Sequence, residues 1–415
     1  MITVIKNIKE IVQVEHTIRK WVAGKDMARL ETIKNGFIEI KDGIISNFGS
    51  MEDWKGIDDW NNTEIIDANN GMVFPSYCDS HSHLVFAGNR ENEWEQRLKG
   101  ASYEEIAAKG GGILNSVKKL QNTSEEELLE SALKRADEII KMGTGAIEIK
   151  SGYGLTVDAE LKMLRVIKKL NELSPLTIKA TFLGAHAIPL EYKSRKSDYL
   201  DCIINEMLPR IAEESLAEYI DIFCEEGYFS VEDTERLLAE AKKWGLTPKT
   251  HVNQFTILGG VEASVKHGAL SVDHLEIMND DDFKALKGSE CMPTLLPSCS
   301  FFLGIPYGQA RKIMDEGMPV ALATDFNPGS SPSGNMNFVV SLGCIQMGMT
   351  PEEVINATTI NTAYAMGLSK ELGSIAIGKK ANLFITKPIS SYAYIPYSFG
   401  HQHINKIMIN GQLQS

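Results

Sequence analysis

From about residue 72 the sequence alternates short β-type runs with amphipathic helical stretches, and the runs can be counted: 71–83, 145–153, 176–186, 219–227, 246–254, 270–276, 291–297 and 319–326. Eight such units separated by helices require a parallel sheet, because a parallel neighbour is reached only through a crossover connection. A doubly wound open sheet and a closed (β/α)8 TIM barrel both meet that requirement, and the count favours the barrel. So does the placement of polar residues. His81 and His83, Tyr153, His186, Glu225 with Glu226, His251, His274 and Asp325 stand at the C-terminal ends of the runs. Barrel active sites are assembled at that end, so residues far apart in sequence are expected to meet there.

Helix punctuation supports the alternation. Ser124 with Glu127 makes a capping-box pattern ahead of LLESALKRADEIIKM, which Gly143 ends. Ser230 opens a second helix closed by Gly245, and Thr350, Pro351 and Glu353 open a third that runs to Gly367. The flanks read differently. FIEIKDGIISNFG near the start and NLFITK near the end are alternating β-type runs broken by Gly, Asn and Asp. Each flank is too short to bury much alone. The expected class is therefore α/β: a barrel over 71–369 plus a small composite β-sandwich domain built from 1–70 and 370–415.

Charge narrows the function. Lys+Arg of 42 against Asp+Glu of 55 gives −13, which argues against binding nucleic acid or an anionic membrane and for a small-molecule partner. No run approaches 18 apolar residues, and the first residues lack the apolar centre of a secretory signal. The six cysteines, Cys78, Cys202, Cys224, Cys291, Cys299 and Cys344, form no CxxC pair. They read as reduced thiols, and the expected location is cytoplasmic.

His81-Ser82-His83 is the sharpest local feature. Side chains two apart on a strand share a face, so both imidazoles point into one cavity. With His251, His274 and Asp325 on the same face they form a candidate ligand group. Imidazoles with one carboxylate suit zinc or iron better than Mg²⁺ or Ca²⁺, which prefer oxygen. His16, His267, His401 and His403 lie elsewhere and enter no site.

FPSYCDSHSH, His251, His274 and ALATDF, in a barrel flanked by a β unit from both chain ends, resemble the amidohydrolase superfamily. AGNRENEWEQRLKGASYEEIAAKGGGI, EIKSGYGL, FLGAHAIP, SVDHLE and ALATDFNPGSSP further resemble its imidazolonepropionase family. The resemblance spans the chain and implies one Zn²⁺ or Fe²⁺/Fe³⁺ ion per subunit, held by His81, His83, His251 and Asp325. It also implies catalytic roles for His274 and Asp325. The strand-four run DIFCEEG has no lysine to bridge a second ion, and Lys150 follows strand two, so one ion is expected. The implied reaction opens 4-imidazolone-5-propanoate, a small anion, to N-formimidoyl-L-glutamate. Arg90 would hold its propanoate, with Tyr153, His186, Asn327, Gly329 and Ser330 as further contacts and Tyr103 from the same loop region as Arg90. The Gly-rich turn after Asp325 is also expected to offer backbone N–H groups to a carboxylate. A homodimer follows by family analogy.

Two positions depart from the pattern. Gln254 stands where some members carry Glu; a carboxamide cannot serve as a base, so it is assigned to substrate binding. Asn382 replaces a frequent Asp in the terminal β unit, where no catalytic consequence is expected. Competing readings are another one-metal amidohydrolase, such as a nucleobase deaminase, and a non-catalytic barrel scaffold.

Overall fold

The computed structural model describes residues 2–57, 59–100 and 111–414. Two eight-stranded sheets organise them. The first is mixed and draws on both chain ends: β1 (Ile2–Val12), β2 (Thr32–Lys41), β3 (Ile44–Ser50), β4 (Thr63–Asp67) and β5 (Met72–Pro75) from one, and strands at Leu383–Thr386, Ile404–Ile409 and Gln412–Leu413 from the other. β5 joins the two halves, pairing with β1 on one side and with Leu383–Thr386 on the other. A bulge in β1, with Asn7 at φ 56, shifts the register so that Ile5 and Ile8 both enter one apolar cluster with Ile38, Ile40, Val73, Leu383 and Met408. That cluster is the unit's own core.

The second sheet is the barrel. Its strands are β6 (Tyr77–Asp79), β7 (Thr144–Lys150), β8 (Thr177–Ala185), β9 (Tyr219–Cys224), β10 (Thr247–Val252), β11 (Ser271–His274), β12 (Met292–Leu295) and β13 (Ala321–Leu322), hydrogen-bonded in sequence order and all parallel. Each falls inside one of the eight expected runs, except that β7 begins one residue ahead of its run, at Thr144. The ends meet through a parallel bridge between Ser82 and Phe326, with His83 N donating to Phe326 O (2.9 Å) and Asp325 N to His81 O (3.0 Å). Closure thus places His81, His83 and Asp325 side by side.

The run 71–83 divides. Met72–Pro75 belongs to the terminal sheet and Tyr77–Asp79 to the barrel, because at the junction Ser76 N donates to Asn382 O (2.8 Å) and Tyr77 N to Gly143 O (2.9 Å). Asn382 also accepts Asn410 N at 2.7 Å, so its role is to tie strands together. The capping boxes at Ser124, Ser230 and Thr350 are formed. The helix expected from Pro351 to Gly367 is broken into Pro351–Thr358 and Ile360–Ala365. The hydroxyls of Thr358 and Thr359 bond back to the carbonyls of Val354 and Ile355, and Thr359 leaves helical geometry at φ −126, ψ −86. No helix among the described residues is long and apolar enough to cross a membrane, and all six cysteines are free.

Candidate metal centre and active site

His81, His83 and His251 are buried, and each offers a ligand atom within 4.8 Å of the others'. Asp325 Oδ1 approaches His81 Nε2 at 3.5 Å and His83 Nε2 at 3.6 Å. The ring nitrogens are divided by task. His81 Nδ1 donates to Asp273 Oδ2 (2.7 Å), and His251 Nδ1 lies 3.0 Å from Asp221 Oδ2. Nε2 of both rings is buried and has no hydrogen-bond partner among the described residues. A carboxylate on Nδ1 fixes the ring and turns an unprotonated Nε2 toward the centre, which is how metal-ligating histidines are held. Burial drives the pKa of His81 and of His83 well below the ordinary value, and the neighbouring imidazoles and Lys150 add to the fall. They are neutral donors, as a metal requires. The residues present fit a zinc or iron ion.

Beneath these ligands the barrel is filled by charge rather than by the usual branched apolar layers. Lys150 Nζ contacts Glu148 Oε1 (2.6 Å), Asp221 Oδ2 (2.8 Å) and Asp273 Oδ2 (3.4 Å). Lys249 Nζ donates to Glu148 Oε2 and to the carbonyls of Ser80 and Ala365. All five side chains are fully buried. Burial alone would push Lys150 toward neutrality; Asp221 and Glu148 reverse this and hold its pKa above the ordinary value. Lys150 therefore joins the two carboxylates that orient His81 and His251. Sequence reasoning considered Lys150 as a bridging ligand, which it ruled out, and missed Glu148, Asp221, Lys249 and Asp273. The available signal was a charge at every second, inward position of otherwise apolar strands, as in IEIK and YIDIF.

Above the ligands opens a cavity of about 950 Å³. Arg90, Tyr153, His186, Gln254, His274, Asp325, Asn327, Gly329 and Ser330 all line it, with His83 and His251 at its base. Tyr103 lies outside the described residues. Arg97, which sequence reasoning did not select, is a second arginine on the wall. Burial disfavours the imidazolium of His274, but Glu276, with Asp325 and Asp273, outweighs it and pushes the pKa up to about 9. Its Nδ1 faces Glu276 Oε1 at 3.2 Å, leaving Nε2 as the free ring nitrogen. Asp325 has its pKa raised by burial, offset in part by His274 and His251. Asp325 and His274 both adopt positive φ, 55 and 89. Such strain persists where surrounding structure enforces it, commonly at functional sites.

Two binding elements are built by their glycines. His186 stacks on His83 at 5.1 Å, and Tyr153 lies 5.5 Å from His186. Gly152, at φ 106 between them, leaves no room for a Cβ, which would meet His186 at 2.8 Å. Burial lowers the His186 pKa to about 3, so the ring is neutral; its Nδ1 faces the carbonyl of Gly152 at 3.1 Å and must carry the proton, leaving Nε2 as an acceptor. At the opposite wall, Arg90 Nε and Nη2 both donate to Glu93 Oε2 (3.0 and 2.8 Å), and Nη1 lies against Gly329. The turn after Asp325 departs from expectation. Asn327 Oδ1 accepts the N–H groups of Gly329 and Ser330, both at 2.8 Å, so they are not offered to a ligand. The turn contributes side chains instead, with Ser330 Oγ 3.3 Å from Asp325 Oδ2.

The chain resembles known proteins in sequence and in fold. The model of the amidohydrolase family matches residues 72–413. The chain is 60% identical over 413 residues to an imidazolonepropionase of Flavobacterium johnsoniae, and 60% identical over 414 residues to one of Christiangramia forsetii, covering all of both chains in each case. It is 42% identical over 410 residues to that of Clostridium tetani, covering 99% of this chain and 97% of the relative. Among solved structures, guanine deaminase of E. coli aligns with a TM-score of 0.74 at 14% identity over 100% of this chain and 99% of the other, a likeness of fold alone.

Proposed function

The chain belongs to the amidohydrolase family and, within it, to the imidazolonepropionases, and from that premise we propose the roles its pocket residues take in hydrolysing 4-imidazolone-5-propanoate to N-formimidoyl-L-glutamate. The observation that carries the reading is the pair of imidazoles, His81 and His251, with carboxylates facing Nδ1 and bare Nε2 atoms, set beside Asp325 under a pocket walled by arginine.

In the reaction water adds to the ring carbonyl carbon, the bond from that carbon to ring nitrogen breaks, and the nitrogen gains a proton. His81, His83, His251 and Asp325 would hold one zinc or iron ion. When bound, such an ion supplies Lewis acidity and brings the pKa of water from about 15.7 toward about 7. Asp325 divides its two oxygens: Oδ1 faces His81 and His83, while Oδ2, steadied by Ser330, is placed to take the proton of the attacking water. His274, held protonated by Glu276, gives its Nε2 proton to the departing nitrogen and is recharged by the proton Asp325 has taken. His186 Nε2 accepts a ring N–H, and Gln254, able both to donate and to accept, holds the ring from the other side. Arg90 grips the propanoate through Nη1. A homodimer and a cytoplasmic location follow from the same premise.

The test is a spectroscopic assay on imidazolone propanoate, repeated after chelation and after adding back Zn²⁺ or Fe²⁺. Activity should vanish with chelation and return with one of the ions, and Asp325→Asn should be inactive while folded. Release of ammonia from nucleobases with imidazolone propanoate untouched would overturn the assignment. Turnover by Asp325→Asn at the native rate would remove the residue from the chemistry.

A further inference from the structure

A second buried cluster, which shares with the steps above only His274, adjoins the first. His274 at the end of β11, Glu276 two residues on, and Cys299 in the helix Pro297–Leu303 each offer a ligand atom within 4.8 Å of the others'. Among the described residues Glu276 Oε1 meets only His274 Nδ1 at 3.2 Å and Ser300 Oγ at 3.5 Å, and its buried Oε2 has no hydrogen-bond partner. A buried carboxylate oxygen without a donor is costly. The three ligands come from two separate segments, and all three are buried. Their chemistry is selective, since nitrogen, sulfur and one carboxylate suit Zn²⁺ or Co²⁺ and not Mg²⁺ or Ca²⁺. A thiolate and a carboxylate also cancel the charge of a dication, which makes its burial feasible.

We propose that His274, Glu276 and Cys299 form a second, weaker Zn²⁺ site, and that filling it inhibits the enzyme. The ion bonds to Cys299 Sγ and to His274 Nδ1, each of which gives up its proton to solvent, and to a Glu276 oxygen. A neutral ring bound through Nδ1 carries its one proton on Nε2, where it can form a hydrogen bond but is no longer the acidic proton of an imidazolium. His274 is thereby withdrawn from proton transfer. The binding stands on the cluster alone, whereas the inhibition rests on the role given to His274 above.

The experiment uses the enzyme already loaded with its first ion. Zn²⁺ is titrated in while bound metal per chain is measured by equilibrium dialysis and turnover is followed. A parallel titration with Co²⁺ reads thiolate-to-cobalt charge-transfer absorption. The wild type should bind a second ion, develop that absorption and lose activity. Cys299→Ala should keep the first ion, show no such absorption, and bind the second ion more weakly by over the roughly 10- to 100-fold that loss of an outer partner costs. Cys299→Ser, closer in volume, serves the same purpose should the alanine variant not fold. Cys202→Ala should behave as wild type. Absence of a second ion from the wild type, or its undiminished binding to both Cys299 variants, would overturn the site. A second ion bound through Cys299 with turnover unchanged would overturn the inhibition and, with it, the role of His274.

Discussion

At the scale of single residues the arginine proposed to hold the substrate's carboxylate is already half used. Arg90 Nε and Nη2 are taken by one oxygen of Glu93, which is itself fixed by Gly112 N (3.0 Å) and, through its other oxygen, by Asn115 Nδ2 (2.8 Å). Glu93 sets the direction of the guanidinium, and Gly329 leaves it room, since a Cβ there would stand 2.2 Å from Arg90 Nη1. A side chain at 329 and the native pose of Arg90 exclude one another. Gly329→Ala should therefore raise KM with little change in kcat, as should Arg90→Ala, because both remove binding that is uniform along the reaction. A charge-assisted contact is worth about 1.5–3 kcal/mol, so a KM rise of roughly tenfold to a hundredfold is expected. The two changes act through one contact, so the double variant should be no worse than Arg90→Ala alone. Steady-state kinetics on the four proteins decides this, and additive losses would separate the residues.

At the scale of elements the strand ends depend on the helices that follow them. Glu160, in the helix Val157–Leu173, accepts the N–H groups of Gly152 (3.1 Å), Gly154 (2.7 Å) and Leu155 (2.9 Å) from within the loop that carries Tyr153. Ser124 performs an ordinary cap at an exposed helix start. Ser124→Ala should cost about 1 kcal/mol and leave activity intact. Glu160→Ala strands three N–H groups in a buried loop and should cost on the order of 3 kcal/mol and also depress turnover, since Tyr153 and His186 lose their frame. Chemical denaturation with parallel kinetics checks both, and an unchanged kcat/KM for a folded Glu160→Ala would show that the loop holds itself. Most elements could be read beforehand because caps, glycine stops and apolar runs are local signals. The site residues on strand ends were legible for the same reason, as histidines and an aspartate close apolar runs. The broken helix at Thr359 was not, because threonine back-bonding competes with helix geometry only once the neighbours are packed. Nor was the junction at Ser76, where a continuous apolar run serves two sheets and the division is made by Asn382, more than 300 residues away.

At the scale of the whole molecule the proposed metal ligands stand on a buried layer of opposed charges, which no local pattern reveals because its members come from four strands. Three carboxylates, Glu148, Asp221 and Asp273, face two lysines, Lys150 and Lys249. The layer therefore carries an excess of negative charge close under the ligands, and a dication at His81 and His251 offsets it. Metal binding should stabilise the fold by mass action, about 2.7 kcal/mol when free ion is a hundred times its Kd, and chelation should lower Tm accordingly. Lys150→Met sharpens the test. Removing one partner of a buried ion pair costs about 3–5 kcal/mol, so the metal-free variant should melt well below the wild type. Two effects on the metal then compete. Asp221 and Asp273 lose the cation that braces them, which loosens His81 and His251, but the ion also loses a buried positive neighbour and meets two uncompensated carboxylates. Coulomb energy between charges a few ångströms apart in a dry interior exceeds the loss from an outer partner. The rise in Tm on adding Zn²⁺ should thus be larger for Lys150→Met than for the wild type. Calorimetry with and without chelator measures both differences, and a smaller rise in the variant would mean that Lys150 serves the centre chiefly by aiming its ligands.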